Sequence, residues 1–141
     1  MSQAVYPVAE EDALILFDQL EPGTCLGSTA MSVDRRMLQA WQALYGPRTE
    51  SPVLPLAFAP LLLMRAMLAI VSPRPPGNIH VGQTYRIRRM PRIDAALTAS
   101  VWCSEKDVRK GRRVVKLEIV LTELPGADPI VSGCSTLFWA R

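Results

Sequence analysis

The stretch Val53–Val71 (VLPLAFAPLLLMRAMLAIV) constrains this chain more than any other. Its nineteen residues carry one charge, Arg65, and no other strongly polar side chain. A surface helix shows a polar face, and this one shows almost none. The segment is therefore expected to be buried nearly all round, in lipid or inside protein. Lipid is the weaker account. The length is at the lower edge for a membrane span, Pro55 and Pro60 interrupt it, and a mid-bilayer arginine is costly. It is not N-terminal, so it does not read as a signal peptide. Burial in protein remains.

The rest of the 141 residues fits one domain with a real core, and we expect residues 1–141 to form one. Residues 1–12 show no periodicity and read as a loose arm. Leu14–Leu20 is a short helix or extended segment, closed by the turn Glu21-Pro22-Gly23. Cys25–Met31 is a short strand. Ser32 or Asp34 caps a helix in which Met37, Leu38, Trp41, Leu44 and Tyr45 share one face, and Gly46-Pro47 ends it. Pro55 is tolerable in the first turn of the greasy helix, and Pro60 bends it or marks a later start. Ser72–Gly77 is an extended connector.

From Ile79 the period changes to two. Ile79, Val81, Gln83, Tyr85 and Ile87 alternate with His80, Gly82, Thr84 and Arg86. Leu97, Ala99, Val101 and Cys103 face one way, and Val115, Leu117, Ile119 and Leu121 form a second inward set. Lys110-Gly111 and Pro125–Asp128 mark turns, and Ile130–Trp139 is a last strand. Residues 79–140 therefore read as an antiparallel β-meander. The expected class is α+β: an antiparallel sheet wrapped around one long helix at 53–71. Such a protomer leaves sheet edges bare, so pairing into a homodimer, or with another subunit of the same shape, is expected.

Charge is lopsided. Residues 1–34 hold six acids and no base, and residues 35–141 hold sixteen bases against seven acids. The bases gather at Arg86–Arg92 and Lys106–Arg113. They read as solvated strand ends, as an attraction for an anionic ligand, or as a nucleic-acid surface. The last is disfavoured, because Arg109–Arg113 has no interleaved aromatics and no DNA-binding motif is present. Cys25, Cys103 and Cys134 form no CxxC pair, and one histidine cannot complete a usual zinc site. Buried free thiols in a reducing cytoplasm, with no metal and no cofactor, are expected.

Several pieces, in order, resemble the MaoC-like dehydratase family of hot-dog proteins. They are Phe17–Gly23; Ser32-Val33-Asp34 opening a helix that ends Tyr45-Gly46; the apolar helix; Met90-Pro91-Arg92-Ile93-Asp94; and Val131-Ser132-Gly133 with Trp139. The resemblance covers roughly residues 14–140. It implies a hot-dog fold, an acyl-CoA-type thioester ligand, and an Asp and a His close together in the loop after the first helix. Such a pair positions a water for addition to an enoyl thioester. Backbone amides at the start of the buried helix are expected to polarise the thioester carbonyl.

This loop, Gly46-Pro47-Arg48-Thr49-Glu50-Ser51-Pro52, contains neither Asp nor His. The family's Asn-Pro-x-His stretch is missing. Glu50 is the loop's one carboxylate and His80 the chain's one histidine, so these two are the candidates for a rebuilt catalytic pair. Arg48, Ser51 and Arg65 are the candidates for ligand contact. Three functions follow. One is a non-catalytic or partner-dependent subunit that binds acyl thioesters; another is a hydratase using Glu50 and His80. The third is a hot-dog thioesterase, which is weakened by the absence of any carboxylate on the greasy helix.

Overall fold

Alternation of apolar and polar side chains builds the sheet. β3 (Leu97–Arg109) and β4 (Arg112–Thr122) form a hairpin with Lys110-Gly111 at its tip. Both tip residues have positive φ, 50° and 75°, which gives the turn the twist of its flanking strands. Leu97, Ala99, Val101 and Cys103 of β3 are buried, as are Val115, Leu117, Ile119 and Leu121 of β4. A period of two places each set on one face. The computed structural model describes residues 13–46, 50–124 and 126–141; the expected arm at 1–12 lies outside them. Three more strands, β1 (Cys25–Met31), β2 (Ile79–Ile87) and β5 (Val131–Trp139), complete a five-stranded sheet in the order β1-β3-β4-β5-β2. Every pairing is antiparallel.

Only β3–β4–β5 is a meander. β2 precedes β3 in the chain but lies at the opposite edge, beside β5. Residues 88–96 make the crossing. Arg88 N–H donates to Ile130 O at 2.9 Å, and Asp94 N–H donates to Val33 O at 2.9 Å.

Two helices flank the inner face. α1 (Arg35–Tyr45) is capped by Asp34, whose carboxylate accepts from Met37 N–H at 2.8 Å. Its expected apolar face is only partly used: Leu38 and Gln42 are buried, while Leu44 and Tyr45 are 77% and 70% exposed. α2 (Phe58–Ile70) touches all five strands.

The greasy helix is shorter than expected at its start. Pro52–Leu54 pairs instead with residues 91–93, with Leu54 N–H donating to Pro91 O at 2.9 Å and Ile93 N–H to Pro52 O at 2.8 Å. A residue before proline is pushed towards extended backbone, so Leu54 cannot begin a helix that continues through Pro55. Pro60 falls at the third helical position, where its missing N–H costs no intrahelical bond.

Nor is α2 buried all round. Phe58, Ala59, Leu62, Leu63, Ala66 and Met67 face the sheet, whereas Leu61 and Leu68 are 37% and 48% exposed. Arg65 and Ala69 are exposed as well. The helix lies across one face of the sheet, with Trp41 of α1 packed on Phe58 at 5.1 Å between ring centroids.

Residues 14–20 close the far end of the core. Phe17–Gln19 forms a single 3-10 turn, and Leu14, Phe17 and Leu20 are buried. Trp139 Nε1–H donates to Ile15 O at 3.0 Å, Phe17 N–H donates to Arg141 O at 3.0 Å, and Lys106 Nζ sits 4.8 Å from the Phe17 ring centroid.

Candidate functional site

Acid/base chemistry is expected in the α1–α2 loop. Arg48 lies outside the described residues. Glu50 is exposed and makes no hydrogen bond or ion pair among the described residues. The Ser51 hydroxyl accepts from Val53 N–H at 3.2 Å, closing a local turn. The expected polarising amides at the start of α2 are already engaged. Phe58 N–H donates to Pro55 O and Ala59 N–H to Leu56 O, each at 3.0 Å, and the next residue is Pro60. The first turn of α2 thus holds its own donors in, and a proline removes the third.

His80 lies elsewhere. It sits near the start of β2, while Glu50 belongs to the segment that pairs through Val53 with Arg92, beyond the far end of β2. His80 and Ile87 alone are separated by roughly 23 Å of strand. The structure does not bring Glu50 and His80 together.

It gives His80 other neighbours. A β-bulge between His80 and Gly82 shifts the register, so that His80 pairs with Leu137 and Gln83 with Ser135. Residues three apart on a regular strand point to opposite faces, and the extra residue puts His80 and Gln83 on the same one. The expected grouping of Gln83 opposite His80 is corrected by this bulge. Ser135 is 1% exposed, and its hydroxyl donates to Gln83 Oε1 at 2.5 Å. Gln83 Nε2 donates to Thr84 O at 2.9 Å. A carbonyl can only accept, so the amide orientation is fixed, and His80 Nε2 at 3.1 Å from Oε1 must carry the proton. Nδ1 makes no hydrogen bond among the described residues. Gly133 makes room: a Cβ there would stand 2.9 Å from Gln83 Nε2 and 2.7 Å from Leu63 Cδ1.

Arg65 lines a different place. An open cleft of about 500 Å³ runs between β1, α1 and α2, with Thr29, Met31, Met37, Ala69 and Leu97 among its walls. The Arg65 guanidinium contacts Met37 Sδ at 3.8 Å. Among the described residues it has no carboxylate partner, and no acid lines the cleft.

Several other charges are matched within or beside the sheet. Arg89 holds Glu123 through two bonds, Glu105 takes both Arg109 and Lys116, and Asp107 takes Arg109. The bond from Lys116 holds the Glu105 carboxyl below the usual carboxylate range, and the bond from Arg89 does the same for Glu123. Arg112 stacks over the Phe138 ring at 5.0 Å. Within the basic runs, Arg88, Arg89 and Arg109 meet carboxylates, those of Arg109 on its own strand, while Lys106 and Arg113 bond the backbone carbonyls of Phe17 and Ala140. Of the three free cysteines, expected to be buried, only Cys103 is; Cys134 is half-buried and Cys25 exposed. Burial pushes the Cys103 and Cys134 thiols up, away from the nucleophilic thiolate.

Gln83 and Ser135 are the residues that sequence reasoning missed. One signal was available: Ser135 is the lone hydroxyl in the inward set of β5, Val131, Gly133, Ser135, Leu137 and Trp139.

No protein-family model and no curated protein sequence matches the chain. Solved structures do. The MaoC-like dehydratase from Rhodospirillum rubrum superposes with a TM-score of 0.73 at 14% identity, over 90% of this chain and 98% of that one. This chain has the hot-dog fold. The (R)-hydratase PhaJ1 from Pseudomonas aeruginosa matches at a TM-score of 0.68 and 22% identity, over 89% of this chain and 86% of that one. The HadBC (3R)-hydroxyacyl-ACP dehydratase complex from Mycobacterium tuberculosis gives 0.61 and 18%, over 77% of this chain and 89% of its own. At these identities the likeness is one of fold. No helix among the described residues is long and apolar enough to cross a membrane.

Proposed function

We propose that the protein is an acyl-thioester-binding subunit of hydratase/dehydratase type that does not hydrate its ligand alone. The carrying observation is a hydratase-like fold whose α1–α2 loop holds Glu50 but no histidine and no aspartate. Hydration needs one group to take a proton from water and a placed acid to deliver one to carbon. Glu50 and His80 stand too far apart to share that water.

A subunit of the same fold would supply the missing pair. Among the described residues β2 pairs only with β5, leaving its other edge bare, and Ile79, Val81, Tyr85 and Ile87 of β2 are exposed. An unpaired apolar edge favours a second strand. HadBC is one complex of this fold. Arg48, Ser51 and Arg65 are the proposed ligand contacts, and the free thiols suit a reducing cytoplasm.

A hydratase working through His80 is the second reading, favoured by the hydrogen bonds that hold its ring to Gln83 and Gln83 to Ser135. Crotonyl-CoA hydration by purified protein separates the two. We expect no turnover above background. Robust turnover lost in His80→Ala, or in Glu50→Gln, would reverse the preference.

A further inference from the structure

The cleft beside Arg65 carries more than an acyl chain requires. We propose that it receives an acyl chain ending in a carboxylate, with Arg65 pairing the carboxylate and the apolar walls covering the chain. This rests on the acyl-ligand reading above and names the group that Arg65 meets.

Arg65 is the one charge in an otherwise apolar run of nineteen residues. It stands on the exposed side of α2 beside Ala69, and both line the cleft. Arg89 and Arg109 each bond a carboxylate of a neighbouring side chain. Among the described residues, Arg65 meets only a thioether sulfur, which is a weak acceptor. A guanidinium fork left open in this way matches a planar carboxylate with two parallel bonds. Met31, Met37 and Leu97 supply an apolar floor, and Met37 can repack around chains of different shape. The volume of about 500 Å³ falls within the range of small-molecule sites.

A simple acyl thioester does not complement this pattern. Its carbonyl is uncharged, and the phosphates of coenzyme A lie at the far end of the pantetheine arm, away from the chain. A carboxylate joined directly to an apolar chain does complement it. Two sources share that chemistry: a free fatty acid, and the distal end of a dicarboxylic acyl thioester.

Calorimetric titration of the full chain with four probes tests this. Octanoate is compared with 1-octanol, and adipoyl-CoA with hexanoyl-CoA. The charged member of at least one pair is expected to bind tenfold or more tighter than its uncharged counterpart, with Arg65→Met abolishing the preference. Ala69→Phe, which fills the cleft without changing charge, is expected to abolish binding of the preferred probe. A preference for octanoate alone assigns the free acid; one for adipoyl-CoA assigns the dicarboxylic thioester. Equal affinities within both pairs, or a preference that survives Arg65→Met, overturn the inference. If hexanoyl-CoA binds without any such preference, the acyl-thioester reading stands and this inference falls. If none of the four binds, both fall.

Discussion

Gly133 shows how much one missing side chain can decide. A Cβ at this position would stand 2.3 Å from Thr84 O, and that atom is backbone. The same absence leaves room for the Gln83 amide, which orients His80. Gly133→Ala is expected to cost about 2 kcal/mol, because an overpacked core must shift backbone or rotamers. Urea denaturation reads the loss, and an unchanged midpoint would show that the neighbours yield freely. This residue was legible as part of the last strand but not as a spacer. Alternation marks which side chains point inward; it does not say that two of them compete for one volume. The position of His80 was hidden for a related reason. A bulge is one extra residue in one strand, and only the partner strand reveals it.

At the scale of the element, α2 is the clearest contrast between pattern and structure. Its composition predicted burial on every side, yet it buries one. Leu63 is 1% exposed and Leu61 is 37% exposed, two residues apart on the same helix. Leu63→Ala is expected to destabilise by about 2–5 kcal/mol, and Leu61→Ala by under about 1 kcal/mol. Similar losses at the two sites would mean that the outer face is covered. Composition could not supply this, because an exposed apolar residue on a helix looks like a buried one until the neighbouring layer is known. The strands were more legible: β1 occupies its expected range, and the β3–β4 hairpin turns at the expected Lys110-Gly111. The same hairpin gives a pH prediction. Lys116 holds the Glu105 carboxyl below its ordinary 4.5. The stability this contributes is present above that value and is lost as pH falls through the lowered one. Thermal melts of Lys116→Met are therefore expected to show a shallower loss on acidification than wild type. Identical acid limbs would remove Glu105 from the account.

For the whole molecule, the order β1-β3-β4-β5-β2 puts the two strands nearest the helical connections at the two edges. Light scattering is expected to give a particle at least twice the 15.6 kDa chain mass, with Val81→Lys shifting it towards monomer. A monomer at all concentrations would leave the edge of β2 without the proposed role. The overall class could be read from one apolar helix followed by alternating strands. The site could not, because the residues that carry chemistry in the resembling family are absent from the loop that should hold them. What the fold offers instead is a guanidinium with no carboxylate partner among the described residues, over a largely apolar cleft.

The central claim is acyl-thioester binding without hydration, and one paired measurement tests it. Crotonyl-CoA is titrated into the purified protein by calorimetry, and its conjugated absorbance is followed at a concentration that saturates binding. The account predicts saturable binding with an absorbance that does not fall. Turnover by the protein alone would contradict it, and so would the absence of any binding.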